Sequence, residues 1–148
     1  MRAVPALALA LALGCVPEAR TARDVARGGL LLLVQAAEAG DVACATYALA
    51  AKGSKDIAKL EKAKAAASTC ANAKARVLDA AEVGAGALET WDSAAQGNLA
   101  CAAVRGLLSL SDLATTIQAL GGKVPDKLTD GLAMASRLAS GATDCKDK

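Results

Sequence analysis

Small and apolar residues recur between positions 99 and 120 at alternating steps of four and three, which is the spacing of one face of an α-helix. The positions are Leu99, Ala103, Gly106, Leu110, Leu113, Ile117 and Leu120. Such a stripe forms the seam of a helix that packs on another helix, and Gly106 permits a close approach of the partner backbone. No segment alternates apolar and polar residues as a strand does. The sequence therefore predicts an all-α fold.

Glycine, proline and capping residues divide the remainder into further helices. A first helix is expected to begin near residues 21–24 and to end at Gly40, because Gly40 followed by Asp41 is typical of a helix end and an N-cap. A second helix then covers 41–52; the alternative is one kinked helix that continues to Ala51. The other expected helices are 55–83, 87–96, 99–120 and 125–139, separated at Gly84, Gly86, Gly97-Asn98 and Gly121-Gly122.

The N-terminal segment has the pattern of an export signal. Arg2 is the only charged residue before Glu18, and residues 3–13 are apolar. That run is too short for a transmembrane helix, which needs about 20 apolar residues. We therefore expect a secretory signal rather than a membrane span.

The end of this segment reads Leu11-Ala12-Leu13-Gly14-Cys15. It resembles the lipobox of bacterial lipoproteins, in which a small residue precedes a cysteine, although the leucine stands one place earlier than in the commonest form. The resemblance implies cleavage after Gly14 and a diacylglyceryl thioether on Cys15. An ordinary signal peptide that leaves Cys15 as a free thiol is the alternative.

Lipidation at Cys15 would divide the chain into a signal peptide (1–14), a lipidated tether (15–23) and a single helical domain (24–148). Two or three acyl chains hold a protein on a membrane stably, whereas one holds it only marginally. By analogy with Gram-negative lipoproteins, Val16 directly after the cysteine favours the outer membrane.

Four further cysteines follow the lipobox: Cys44, Cys70, Cys101 and Cys145. An even number of cysteines in an exported chain indicates two disulfides. If the last two helices form an antiparallel hairpin that turns near 121–124, Cys101 lies level with residue ~144 and can pair with Cys145.

The pair Cys44–Cys70 follows by exclusion. A simple hairpin that turns at Gly53 would leave Cys70 about 10 Å off the level of Cys44, so this bond requires a displaced or tilted second helix. Alanine makes up much of the 54% apolar fraction and buries little area, so covalent support is useful. The predicted fold is thus an all-α bundle of about five helices, stapled by two disulfides and preceded by a signal peptide.

Several kinds of chemistry lack their usual residues. The chain has no histidine and no C-x-x-C motif, which argues against a metal site and against a histidine-activated nucleophile. Only Tyr47 and Trp91 are aromatic and the net charge is +2, so we expect no nucleic-acid partner. We predict no cofactor and no enzymatic activity.

One charged surface has a regular spacing. The lysines at its 3, 4, 3 steps are Lys52, Lys55, Lys59 and Lys62. They form a possible contact stripe for anionic headgroups, a cell-wall polymer or an acidic partner. The alternative is a solubilising face whose charge Asp56 and Glu61 partly offset.

These observations predict a small exported lipoprotein that is anchored by Cys15 and acts as a non-catalytic binding or structural component of the cell envelope. Its partners would be the membrane, through the lipid, and an envelope protein. It would face the periplasm or the cell surface. Two alternatives remain: a phage- or mobile-element-encoded lipoprotein that blocks a receptor or an injection system, and a soluble secreted inhibitor or effector without lipid.

Overall fold

The computed structural model describes the backbone of residues 5–145 and the side chains of residues 22–145. Over that part of the chain it forms four α-helices and no strand, which confirms the all-α prediction. The helices are α1 (Pro5–Ala51), α2 (Ile57–Thr90), α3 (Ser93–Ala119) and α4 (Asp126–Ala139). α1 packs against each of the other three, while α2 packs on α3 and α3 on α4. The result is a four-helix bundle rather than the bundle of about five helices that we expected.

The predicted break at Gly40 is absent, because α1 is one continuous helix. Gly40 is buried, and a Cβ atom there would lie 3.1 Å from Cδ1 of Leu113 and 3.3 Å from Cδ2 of Leu128. The glycine therefore allows α3 and α4 to approach α1 closely, and it does not end the helix. α1 also begins at Pro5, before the expected start at 21–24.

The predicted interruption at Gly84 and Gly86 is also wrong, because α2 continues to Thr90. A Cβ atom at Gly84 would lie 2.7 Å from Cδ2 of Leu30 and 3.1 Å from Cδ1 of Leu99. Gly84 thus marks the point where α1, α2 and α3 come together.

The second inter-helix turn lies at Trp91 and Asp92. Trp91 has a left-handed conformation (φ 49°), and its N–H donates to the carbonyl oxygen of Ala87 at 3.2 Å. Asp92 caps α3 by accepting a hydrogen bond from the N–H of Ala95 at 2.7 Å. The turn that we expected at Gly97-Asn98 is instead part of α3.

The largest fully buried side chains lie where α1, α3 and α4 meet. They include Leu33, Leu110, Leu113, Ile117 and Leu128, each 0% exposed. The seam predicted on α3 faces this core, and all of its positions except the half-buried Leu120 are buried.

The α1–α2 interface has smaller side chains around a disulfide. Cys44 and Cys70 are 0% and 1% exposed and form a bond with a Cα–Cα distance of 6.5 Å. The buried residues near them in sequence include Ala37 and Ala48 on α1 and Ala63 and Ala73 on α2. Here the disulfide occupies a place that larger apolar side chains fill elsewhere in the bundle.

The second disulfide joins Cys101 in α3 to Cys145, with a Cα–Cα distance of 5.3 Å. Cys101 is half-buried and Cys145 is exposed, so this bond lies at the surface, at the open end of the α3–α4 hairpin. The bond Cys101–Cys145 is the pair that the hairpin geometry favoured, and Cys44–Cys70 is the pair that followed by exclusion.

Candidate functional site

The Cys44–Cys70 bond sets the register of α1 against α2. In an antiparallel pair with these residues level, Ala51 at the end of α1 is level with Ala63 of α2, since the two helices rise equally per residue. The first turns of α2, residues 57–62, therefore extend about 9 Å beyond the end of α1. This is the displaced second helix that the pairing of Cys44 with Cys70 required.

The lengths of α2 and α3 indicate that residues 57–62 of α2 also extend beyond the end of α3. α2 has 34 residues and α3 has 27, and only Trp91 and Asp92 separate them. An antiparallel pair joined by so short a turn leaves the first turns of α2 without a facing helix. Ile57 shows this directly, because it is 75% exposed. We call residues 57–62 the overhang.

The predicted lysine stripe lies at this end of the bundle. Lys52 follows α1, Lys55 lies in the connecting loop, and Lys59 and Lys62 are on the overhang. All four are exposed, although they belong to the α1–α2 connection and to α2 and not to the face of one helix. Lys64, two residues further along α2 than Lys62, is also exposed and was missed because it breaks the 3, 4, 3 spacing.

These lysines give the end of the bundle a local positive charge. Residues 52–64 contain five lysines and two acidic residues, a net charge of +3 that exceeds the +2 of the whole chain. Within the described side chains, the ion pairs are Lys74–Asp41 and Arg76–Asp112, so none of the five lysines is paired. The Asp56 carboxylate instead caps α2 by accepting from the N–H of Ala58 at 3.0 Å.

A groove of about 390 Å³ lies between α1 and α2 beside these lysines. Its lining residues are Ala48, Lys52, Leu60, Glu61, Ala63, Lys64 and Ala67. Alanine and leucine form an apolar floor, and Lys52 just after α1 and Lys64 on α2 supply positive charge beside it. The sequence spacing did not indicate this floor, because it is created by the register of the two helices.

A second groove of about 400 Å³ lies between α1 and α2 toward the other end. Its polar residues are Arg23, Arg27 and Glu89. Arg23 donates from Nη2 to the backbone carbonyl of Glu89 at 3.5 Å, which places a positive charge at the C-terminal end of α2. This arrangement stabilises a helix end and gives Arg23 a structural role.

Lys74 and Asp41 form a close ion pair between α2 and α1. The distance from Nζ to Oδ2 is 2.9 Å, and about a third of each side chain is exposed. The hydrogen bond from Lys74 to Asp41 and the negative charge of that carboxylate raise the pKa of the lysine above its usual 10.5. The pair fixes the α1–α2 interface between the disulfide and Gly84.

The acidic residues on either side of Trp91 and the serines of α3 differ in their surroundings. Asp92 is the N-cap of α3, and its neighbour Glu89 is exposed on α2. Ser109 is 4% exposed within α3, while Ser111 and Asp112 are exposed. Among residues 22–145, no group of three or more Cys, Asp or Glu side chains is arranged to hold a metal ion.

Two helical segments of the described chain, Ala22–Ala51 and Ser93–Ala119, are long and apolar enough to cross a membrane. The core helices of soluble proteins satisfy the same criterion, and 39% and 44% of these windows are buried in the bundle. The side chains of the signal peptide (1–14), of Cys15 and of most of the tether (15–23) lie outside the described residues. Arg23, the last residue of the predicted tether, contacts Glu89 of the bundle.

Comparison with known proteins adds no relative: no protein-family model, no curated protein and no solved structure matches this chain.

Proposed function

We propose that this protein is a small exported lipoprotein, anchored through Cys15, whose helical bundle is a non-catalytic binding component of the cell envelope. The observation that carries the proposal is the use of its cysteines. Four of the five form the bonds Cys44–Cys70 and Cys101–Cys145, and the fifth stands at the end of the lipobox-like segment. Disulfides persist in oxidising compartments, to which a signal peptide would deliver the chain.

The direction of α1 gives this anchor a geometric consequence. The helix runs from the anchored N-terminal side to Ala51, and residues 22–51 alone span about 44 Å at 1.5 Å per residue. The lysine-rich end of the bundle is therefore far from the lipid. That position suits an exposed binding surface and does not suit contact with the headgroups of the anchoring leaflet.

The proposal assigns no catalytic residue. The chain lacks histidine, and Asp92, which forms an acidic pair with Glu89 in the sequence, caps α3. A rigid helical scaffold with a charged groove at one end is the arrangement of a binding module.

Mass spectrometry of the protein from its native envelope tests the anchor. We expect a mature N-terminus at Cys15 that carries a diacylglyceryl group, and a Cys15→Ser variant that leaves the membrane fraction. A Cys44→Ala/Cys70→Ala variant is the matched control, because it removes cysteines but should keep the lipid. An unmodified Cys15, or a mature chain that begins elsewhere, would contradict the lipoprotein and favour the soluble secreted alternative.

A further inference from the structure

We propose that the groove between the end of α1 and the first three turns of α2, which include the overhang, binds an acidic amphipathic helix of a partner protein. This inference rests on the proposed binding function and specifies the class of partner. It stands on three independent features of this end of the bundle: a missing helix neighbour, unpaired positive charge and distance from the anchor.

The first feature is the apolar surface that the register leaves uncovered. Throughout the bundle, α2 is packed between α1 and α3, but residues 57–62 extend past both. Leu60 is only half-buried there and Ile57 is 75% exposed. An additional helix laid against the overhang would continue the packing that α1 provides further along, as in other helix-in-groove interfaces.

The second feature is the charge around this surface. Lys52 and Lys64 line the groove, and Lys55, Lys59 and Lys62 are exposed close to it in sequence. None of the five lysines has an ion-pair partner among the described side chains. A helix with acidic residues beside its apolar stripe would match both the floor and the lysines.

The third feature separates a protein partner from a lipid surface. The groove is at the far end of α1 from Cys15, beside the last turn of the ~44 Å that residues 22–51 span. The anchoring bilayer is therefore not its natural occupant. The apolar floor also distinguishes it from a purely electrostatic site for a polyanion, which would need no leucine or alanine surface.

The test uses the intact protein in detergent and a labelled peptide of about 15 residues, with leucine at i, i+3, i+4 and i+7 and glutamate on the flanks. We expect saturable binding by fluorescence anisotropy. The Lys52→Glu/Lys64→Glu variant should bind about tenfold more weakly, because two attractive rim charges become repulsive. Lys123→Glu/Lys127→Glu is the matched control, since it reverses two exposed lysines outside the groove and should leave binding within about twofold.

The remaining outcomes distinguish the alternatives. A peptide of the same composition with its leucines scrambled should bind at least tenfold more weakly, and equal binding would overturn the groove in favour of charge alone. Vesicles of anionic phospholipid should not compete, and competition at the same affinity would overturn the protein partner in favour of a lipid. No saturable binding of the peptide would overturn this inference, whereas the lipid on Cys15 is measured separately by mass.

Discussion

The two sides of the bundle hold α1 by different means. On the side of α3 and α4, the interface contains large aliphatic side chains. Leu33 of α1, Leu113 of α3 and Leu128 of α4 are all 0% exposed. Against α2 near its C-terminal end, α1 offers alanine and the buried Cys44–Cys70 bond. Burial of a leucine contributes about 2 kcal/mol to stability and burial of an alanine contributes much less. The disulfide therefore stabilises the α1–α2 interface, whereas buried apolar area stabilises the interface of α1 with α3 and α4.

Removal of the buried disulfide should have the largest effect. We expect Cys44→Ala/Cys70→Ala to lower the free energy of unfolding by about 4 kcal/mol, because the bond closes a loop of 26 residues and its sulfurs fill the alanine-rich interface. Urea denaturation measures this value. A cost below about 1 kcal/mol would show that the alanine interface is sufficient without it.

The surface disulfide is the matched comparison. Cys101→Ala/Cys145→Ala opens a longer loop, with a separation of 44, yet we expect a smaller cost of about 2 kcal/mol. Without the bond, the residues after Ala139 regain backbone freedom in the folded state, which offsets part of the loop term. Brief reduction of the native protein followed by alkylation should label Cys145 before Cys44, and the reverse order would contradict the difference in burial.

An effect as large as that of the surface disulfide tests how closely α4 approaches α1. A Cβ atom at Gly131 would overlap the Cβ of Ala36, and a methyl group cannot rotate away. We expect Gly131→Ala to cost about 2 kcal/mol by forcing the helices apart. Gly86→Ala is the control: nothing lies within 4 Å of its added Cβ, so thermal unfolding should show a gain of about 0.5–1 kcal/mol from helix propensity. A stabilising Gly131→Ala would mean that the two helices are not so closely packed.

A smaller loss of stability is expected from a substitution at the contact between α1 and the turn that joins α3 to α4. The hydroxyl of Tyr47 accepts a hydrogen bond from the N–H of Lys123 at 3.0 Å. Tyr47→Phe should therefore cost about 1 kcal/mol while keeping the ring in place. Backbone hydrogen exchange at Lys123 should accelerate in the variant. Unchanged exchange would show that the turn is held by other contacts.

The smallest expected effect concerns the ion pair on the disulfide side. Lys74→Met should cost about 0.5 kcal/mol, since the pair is about one-third exposed. The raised pKa of Lys74 means that folding favours its charged form, so this contribution is fully present below the usual lysine pKa of 10.5 and is lost as the pH rises through the folded pKa.

Urea titrations at several pH values provide the measurement. The difference between the wild type and Lys74→Met should be constant from pH about 7 to 9 and should shrink above about 10.5. Arg76→Met is the control, because an arginine stays charged throughout that range. A difference that grows with pH would contradict the ion pair as its cause.

The comparison also explains which parts of the fold could be predicted from the sequence. The α3 seam was predictable because Leu110, Leu113 and Ile117 are large residues at helical spacing, and one face of a helix is all that such a pattern can form. The predicted helix breaks at Gly40 and Gly84 were wrong. A glycine looks the same in the local sequence whether it forms a turn or allows a neighbouring helix to approach closely. Only the tertiary contacts distinguish these cases.

The turn at Trp91 was missed because tryptophan is not a residue that indicates a helix end, although Trp91 has a left-handed conformation here. Part of the candidate site was predictable, because the lysine spacing singled out Lys52 to Lys62. The apolar floor and Lys64 were not, since they depend on the register that the Cys44–Cys70 bond imposes on α1 and α2. The predicted offset of these cysteines was the one available signal of the overhang.

The unbroken course of α1 past Gly40 has a mechanical consequence. Because one helix connects Ala22 to Ala51 without a hinge, a tilt of about 10° at its first residue moves its last residue sideways by about 8 Å. The orientation of the N-terminal part of α1 therefore determines the position of its C-terminal end near Ala51.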